Sequence, residues 1–236
     1  MAEGEKRIRQ HQLLHEKDAW FGSTALWQIP ACIYIINARK PAHILDYGCG
    51  KGVLIEKLRK LFPRIQIDGY DPAVPKFANR KAGCLREKYD LILCFAVLEH
   101  IPEFDIPDVL ADIRAFGENV FFLLCHVKAT HILPDGTNAH CTVKPLEWYQ
   151  RIIGGMFPFA SPVSGHPPKN SFMLTFPLSL PEMEEFRRLL LAPKRRSEAV
   201  VLFLTKLIPV RRWRKSIRAG LRKKIIDRQT RDILSL

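Results

Sequence analysis

Apolar residues in this chain fall into short runs, and the spacing within each run assigns an element. Residues 1–20 are polar with helical spacing, and 22–37 (GSTALWQIPACIYIIN) are apolar enough for a buried helix that Pro30 starts or kinks. A short apolar strand follows at 43–47. The pattern then turns helical over 51–62, with Val53, Leu54, Leu58 and Leu61 on one side and Glu56, Lys57, Arg59 and Lys60 elsewhere, and it stops at Pro63. Ile65–Tyr70 and Tyr89–Phe95 are strands. The basic stretch between them, 73–88, contains no convincing strand. Ile106–Ala115 is a helix, and NVFFLLC (Asn119–Cys125) is apolar throughout, as a parallel strand covered on both faces requires. A polar loop spans His126–Lys144, and a helix covers 145–153. Two further strands within 157–178 are separated by SPVSGHPPKN, and a helix at 181–191 leads into a basic tail. Strands alternating with helices predict an α/β sheet with helices on both faces. No internal repeat or low-complexity segment interrupts it.

Composition narrows the class only a little. The chain has 236 residues, 47% hydrophobic and 26% charged, enough for one sizeable core. Its six cysteines are scattered, and none has CxxC spacing, so neither a disulfide framework nor a metal site is expected and a reducing, cytoplasmic setting is. The N-terminus lacks the apolar core of a secretory signal, and no run approaches a membrane span. Charge is the uneven property. Of the net +13, +10 falls after residue 180, where sixteen basic residues face six acidic ones. This divides the chain into 1–180, which carries the chemistry, and a basic helical extension, 181–236.

The densest chemistry lies in HILDYGCGKG, His43–Gly52. A strand ends at Asp46, glycines follow at 48, 50 and 52, and a helix begins, which is the ligand-binding corner of an open α/β sheet. A dinucleotide fingerprint, GxGxxG, needs glycine at position 53, where this chain has valine. The GxGxG spacing after an acid instead resembles motif I of class I S-adenosylmethionine (SAM) methyltransferases. The resemblance continues through FGSTALWQIP, YDPAVPKF, VLEHIP and LPDGTNAHCTVKPLEWYQ, in that order, over roughly residues 20–155. These strings are similar to a bacterial and phage group of methyltransferases, many associated with surface-polysaccharide or related glycan genes. It implies a Rossmann-like class I methyltransferase fold and SAM as cofactor, with Gly48, Gly50 and Gly52 meeting its carboxylate end and Asp46 near its amino group. Asp71, which closes the second strand, is placed to bind the ribose hydroxyls, and Glu99 and His100 to line the pocket. Two positions depart from the pattern. The segment before Asp90 is short for a third strand and supplies no obvious acid for the adenine, and position 96 is alanine where related sequences often carry a polar residue.

The acceptor side rests on the His126–Lys144 loop, which follows a strand and so reaches the ligand-bearing edge of the sheet. His140 and His126 are candidates for the base that takes a hydroxyl proton, with Asn138, His131 and Asp135 contacting the substrate. His140 packing against Trp148 or Tyr149 is the structural alternative. In the tail, Trp213, Ile217, Leu221 and Ile225 form one apolar stripe within a cationic helix. Such a helix suits an anionic membrane surface, packing on the core, or nucleic acid. The function expected is O-methylation of a sugar or lipid-linked glycan acceptor at the inner face of the membrane. An RNA or tRNA methyltransferase is the first rival, weakened by a nearly neutral body and by the lack of an NPPY-type tetrad after the fourth strand. A SAM-binding scaffold without activity is the second.

Overall fold

The structure, a computed structural model, describes residues 3–18, 21–79, 85–166 and 169–191. The basic tail, with the stripe expected at Trp213, Ile217, Leu221 and Ile225, lies outside them, as does Cys84. Six strands form one sheet in the order β2-β1-β3-β4-β6-β5. They are β1 (His43–Tyr47), β2 (Gln66–Tyr70), β3 (Leu91–Phe95), β4 (Val120–Cys125), β5 (Ser161–His166) and β6 (Asn170–Leu174). β1 pairs in parallel with β2 and β3, and β3 with β4, whereas β6 runs antiparallel to both β4 and β5. This is the Rossmann-like sheet that the resemblance implies.

Helices cover both faces. On one face α4 (Ile106–Phe116) and α5 (Leu146–Met156) bury Leu110, Ile113, Tyr149 and Ile153 against Leu45, Ile92, Phe122 and Leu124 of the strands. On the other, α3 (Val53–Leu61) lies against β2. Gly69 makes that approach close, since a Cβ there would stand 2.3 Å from Ile55 Cδ1. Arg59 adds donors to the Ile67 carbonyl. The N-terminal helix α1 (Glu3–Lys17) belongs with this body.

The described residues divide into two compact groups. The first comprises 3–25 and 41–179, and the second 26–40 with 180–191. In the second, α2 (Ile29–Arg39) carries Pro30 in its first turn, where a missing N–H costs nothing, and meets α6 (Leu180–Leu191). Tyr34 stacks on Phe186 at 5.5 Å and donates its hydroxyl to the Glu182 carbonyl at 2.9 Å.

One expected boundary differs. The proline- and glycine-bearing SPVSGHPPKN is not a connector, because β5 occupies its first six residues. β5 is an edge strand with a register shift between Pro162 and Ser164, the setting in which a sheet tolerates proline. All five described cysteines are free. No described helix is long and apolar enough to cross a membrane.

One hydroxyl reinforces the end of the β4–β6 pairing. Thr175 Oγ1 accepts from Val120 N at 2.7 Å and donates to the Glu118 carbonyl, while Thr175 N donates to Val120 O at 3.0 Å. Thr175→Val keeps the shape and leaves two backbone groups without their partner. It should cost about 1–3 kcal/mol in chemical unfolding. A change below a few tenths of a kcal/mol would show that the hydroxyl is dispensable.

Candidate active site

Parallel pairing ends β1 and β2 level, with Tyr47 opposite Tyr70. Beyond that edge the chain turns through Gly48 (φ 77°), Gly50 (φ 53°) and Gly52 (φ 75°). The Tyr70 carbonyl accepts from Gly48 N at 2.7 Å and Cys49 N at 3.1 Å. Asp71 completes the corner, its Oδ2 accepting from Gly50 N at 2.8 Å and its Oδ1 from Ala73 N at 2.9 Å. β1 lies between β2 and β3, so successive connections leave it in opposite directions, and a crevice opens at its carboxyl end. There a cavity of about 750 Å³ is walled by Gly48, Gly50, Asp71, Glu99, His100 and His140, among others, a size usual for small-molecule sites. Gly52 is not on that wall. It precedes α3 and faces the Phe77 ring, which a Cβ would meet at 2.5 Å.

Two acids stand at this corner, Asp71 on the cavity wall and Asp46 not on it. Asp46 is buried, and its Oδ2 has no hydrogen-bond partner. Burial, and then the charge of Asp71, raise its pKa to about 7. A cationic amino group nearby would return the carboxylate to its charged form. Burial also raises Asp71, against the pull of the Ala73 and Gly50 N–H groups. Each Asp71 oxygen keeps lone-pair capacity for a ribose hydroxyl. The residues present therefore fit SAM.

The other wall is rich in imidazole. His100 and His140 stand edge to face at 4.7 Å, and His100 and His11 at 4.8 Å. His100 Nδ1 donates to the Ala139 carbonyl at 2.9 Å, and His140 Nδ1 to the Val127 carbonyl at 2.6 Å. Because a carbonyl only accepts, each neutral ring carries its hydrogen on Nδ1 and leaves Nε2 free. Burial lowers His140 and pushes His100 well below the usual range, with the neighbouring charges of His11 and His140 adding to the effect on His100. Glu99 is buried with neither carboxylate oxygen partnered, and burial raises it to about 8. Its main-chain carbonyl accepts from Cys141 N and Thr142 N at 2.9 and 3.1 Å, joining the 126–144 loop to the VLEHIP turn.

α1 supplies what the polar pattern of residues 1–20 conceals. Arg7 Nε donates to the His100 carbonyl at 3.2 Å, and its Nη2 to the carbonyls of Asn138 and Ala139 at 3.0 and 2.9 Å. One turn and two turns on, His11 and His15 reach the cavity wall. Their i, i+4 spacing on one helix face is the signal that could have marked them. His15 lies against Phe21 at 4.7 Å. Burial lowers both to about 4, assisted by Arg7 at His11 and Lys51 at His15.

The loop residues separate. His140 and His131 reach the cavity, with His131 Nε2 3.4 Å from an Asp18 carboxylate oxygen. Asn138 instead closes the loop on itself. Its Oδ1 accepts from Ala129 N and His140 N, and its Nδ2 donates to the Ala129 carbonyl. Asp135 points outward and accepts from Thr137 N and Oγ1, bonds that hold its pKa low. His126 is not on the cavity wall. Its Nδ1 is 2.7 Å from the Lys144 carbonyl and its Nε2 2.7 Å from Ser171 Oγ. His126, rather than His140, neighbours Tyr149, at 5.7 Å between rings.

Two outcomes are expected. Gly48→Ala would place a Cβ 2.3 Å from Val97 Cγ2 in a left-handed backbone. Stabilisation by S-adenosylhomocysteine in thermal melts should then fall with at least a tenfold loss of affinity, about 1.4 kcal/mol. Undiminished stabilisation would separate the turn from the ligand. His15 has its folded pKa, about 4, below the ordinary histidine value of 6.5. Its contribution to stability is therefore complete above about pH 6.5 and is lost as pH falls through about 4. Unfolding of His15→Gln across that window should take up about one proton fewer than wild type. An unchanged pH slope would contradict the burial of this imidazole.

A family model described as a methyltransferase domain matches residues 32–163. The ubiquinone biosynthesis O-methyltransferase of Escherichia coli O9:H4 (strain HS) is 30% identical, over 44% of this chain and 57% of that protein. The enzyme of the same name from Shigella boydii serotype 18 is 27% identical over 61% and 80% respectively. The chain thus spans little more than half the length of the first of these relatives. Among solved structures, the 1,6-didemethyltoxoflavin-N1-methyltransferase of Burkholderia thailandensis, bound to 1,6-didemethyltoxoflavin and S-adenosylhomocysteine, aligns with a TM-score of 0.49 at 14% identity, over 74% of this chain and 89% of that one. The match at 32–163 takes in the glycine turn, Asp71, the VLEHIP element and the 126–144 loop. Covering more than half of the residues, it shows that the chain belongs to the methyltransferase domain family, whose methyl donor is SAM.

Proposed function

We propose that this protein is a SAM-dependent O-methyltransferase whose acceptor is a hydroxyl group of a sugar or lipid-linked glycan. One observation carries the reading. The glycine turn and Asp71 share a single cavity with Arg7, His11, His100 and His140. SAM supplies a methyl group made electrophilic by its sulfonium. The chain's own residues do the positioning. Gly48, Gly50 and Asp71 hold the donor, and Asp46 balances its amino group. The free Nε2 of His140 faces the acceptor side as an uncharged acceptor for the hydroxyl proton. A polyhydroxylated acceptor is supported by the polar groups on the same wall, among them Asp105, Asp108, Lys128, Thr130 and His131. Residues 1–180 carry this chemistry, and the basic extension from 181 is the part suited to an anionic membrane.

A phenolic acceptor is the second reading. It is favoured by the O-methyltransferase names of the relatives and by the Phe21 ring on the cavity wall.

A tritiated-methyl assay with sugar, lipid-linked glycan, phenol and RNA acceptors distinguishes these. Label in the sugar or glycan fraction is expected. Label confined to phenols or RNA overturns the acceptor class, and label in none of them leaves a binding scaffold. His140→Ala should lower turnover about 10²–10⁴-fold if it takes the proton, with affinity for the donor nearly intact. Unchanged turnover would remove it from that role.

A further inference from the structure

We propose that Glu99, His100 and His140 form a binding site for a divalent transition-metal ion of the zinc type, open to the cavity. One ligand atom from each of the three lies within 4.8 Å of the others. Metal–ligand bonds of about 2.0–2.2 Å would draw them closer by roughly an ångström, a side-chain adjustment.

Three further features suit a metal site. Both Glu99 oxygens are buried without a partner, and a buried carboxylate is ordinarily paired or bound to metal. His100 and His140 each donate Nδ1–H to a main-chain carbonyl and so aim a free Nε2 lone pair. Metal-ligating histidines are oriented in this way. Beside them, His11 Nε2 is buried and unpartnered, with its ring 4.8 Å from that of His100. Two imidazoles and one carboxylate make a donor set that suits zinc with one position left open. Magnesium and calcium prefer oxygen alone.

The part such an ion would play rests on the O-methyltransferase reading. A hydroxyl in the open position would be fixed and made more acidic. With the ion bound, His140 Nε2 would be its ligand, and the ion rather than this imidazole would promote loss of the hydroxyl proton.

The test uses untagged, full-length protein stripped with chelator and dialysed against Zn²⁺ or Co²⁺, with S-adenosylhomocysteine binding measured in parallel. One equivalent of metal is expected, with Co²⁺ absorption bands of low-coordinate, imidazole-bound ion. Glu99→Gln and His140→Gln should each weaken binding at least tenfold. X-ray absorption of the zinc-loaded wild type reads the ligands without any substitution, and two imidazoles with oxygen are expected. Wild type that binds S-adenosylhomocysteine but no metal overturns the site. So does a ligand shell without imidazole, or metal affinity unchanged in His140→Gln. Metal bound at this site by protein that does not bind S-adenosylhomocysteine would leave the site standing and sink the methyl-transfer reading.

Discussion

Three N–H groups of the turn after β1 are held by the end of β2, and the site depends on that junction. Gly48 N and Cys49 N share the Tyr70 carbonyl, and Gly50 N takes the Asp71 carboxylate. The chain satisfies all three only with Gly48 and Gly50 at positive φ, a conformation that costs glycine little. The space left at Gly48 is occupied by Val97, which brings the VLEHIP turn against the glycine turn. Glu99 then accepts two N–H groups from the 126–144 loop, and Arg7 binds carbonyls from both segments. One corner of a parallel sheet thereby joins residues from five separate stretches of chain.

Burial dominates the electrostatics of the same region and drives acids and bases towards neutrality. Asp46 rises to about 7 and Glu99 to about 8, while His11 and His15 fall to about 4. Near pH 7 His11 and His15 are neutral and Glu99 is mostly protonated. Unpartnered atoms on Asp46, Glu99, His11 and His15 are costs that the folded chain carries. Binding sites commonly hold such costs, and ligands of matching chemistry relieve them. Asp46 calls for an ammonium group and Asp71 for hydroxyls. The chemistry of SAM supplies both.

The parts read most directly from sequence are those decided by local pattern. β1 matches its apolar run residue for residue because a buried parallel strand has no freedom in which face is apolar. Asp71 is readable because it closes a strand at a fixed spacing from the glycine turn. β5 is hidden because proline, glycine and serine read as a loop, whereas an edge strand with a shifted register accommodates them. His11 and His15 sit on a polar helix, where histidine reads as solvated. The Arg7 bonds to carbonyls 93 to 132 residues away help bring that face to the cavity. Asn138 and His126 illustrate the converse. Both have the chemistry of a site residue, but each spends its side-chain hydrogen bonds on holding the structure in place.

The most direct test of this account is a crystal structure of the full chain with S-adenosylhomocysteine. The ribose hydroxyls are expected on the Asp71 carboxylate and the amino group on the Asp46 side of the glycine turn. Ligand bound away from Gly48, Gly50 and Asp71, or a cavity left empty at saturating ligand, would contradict it.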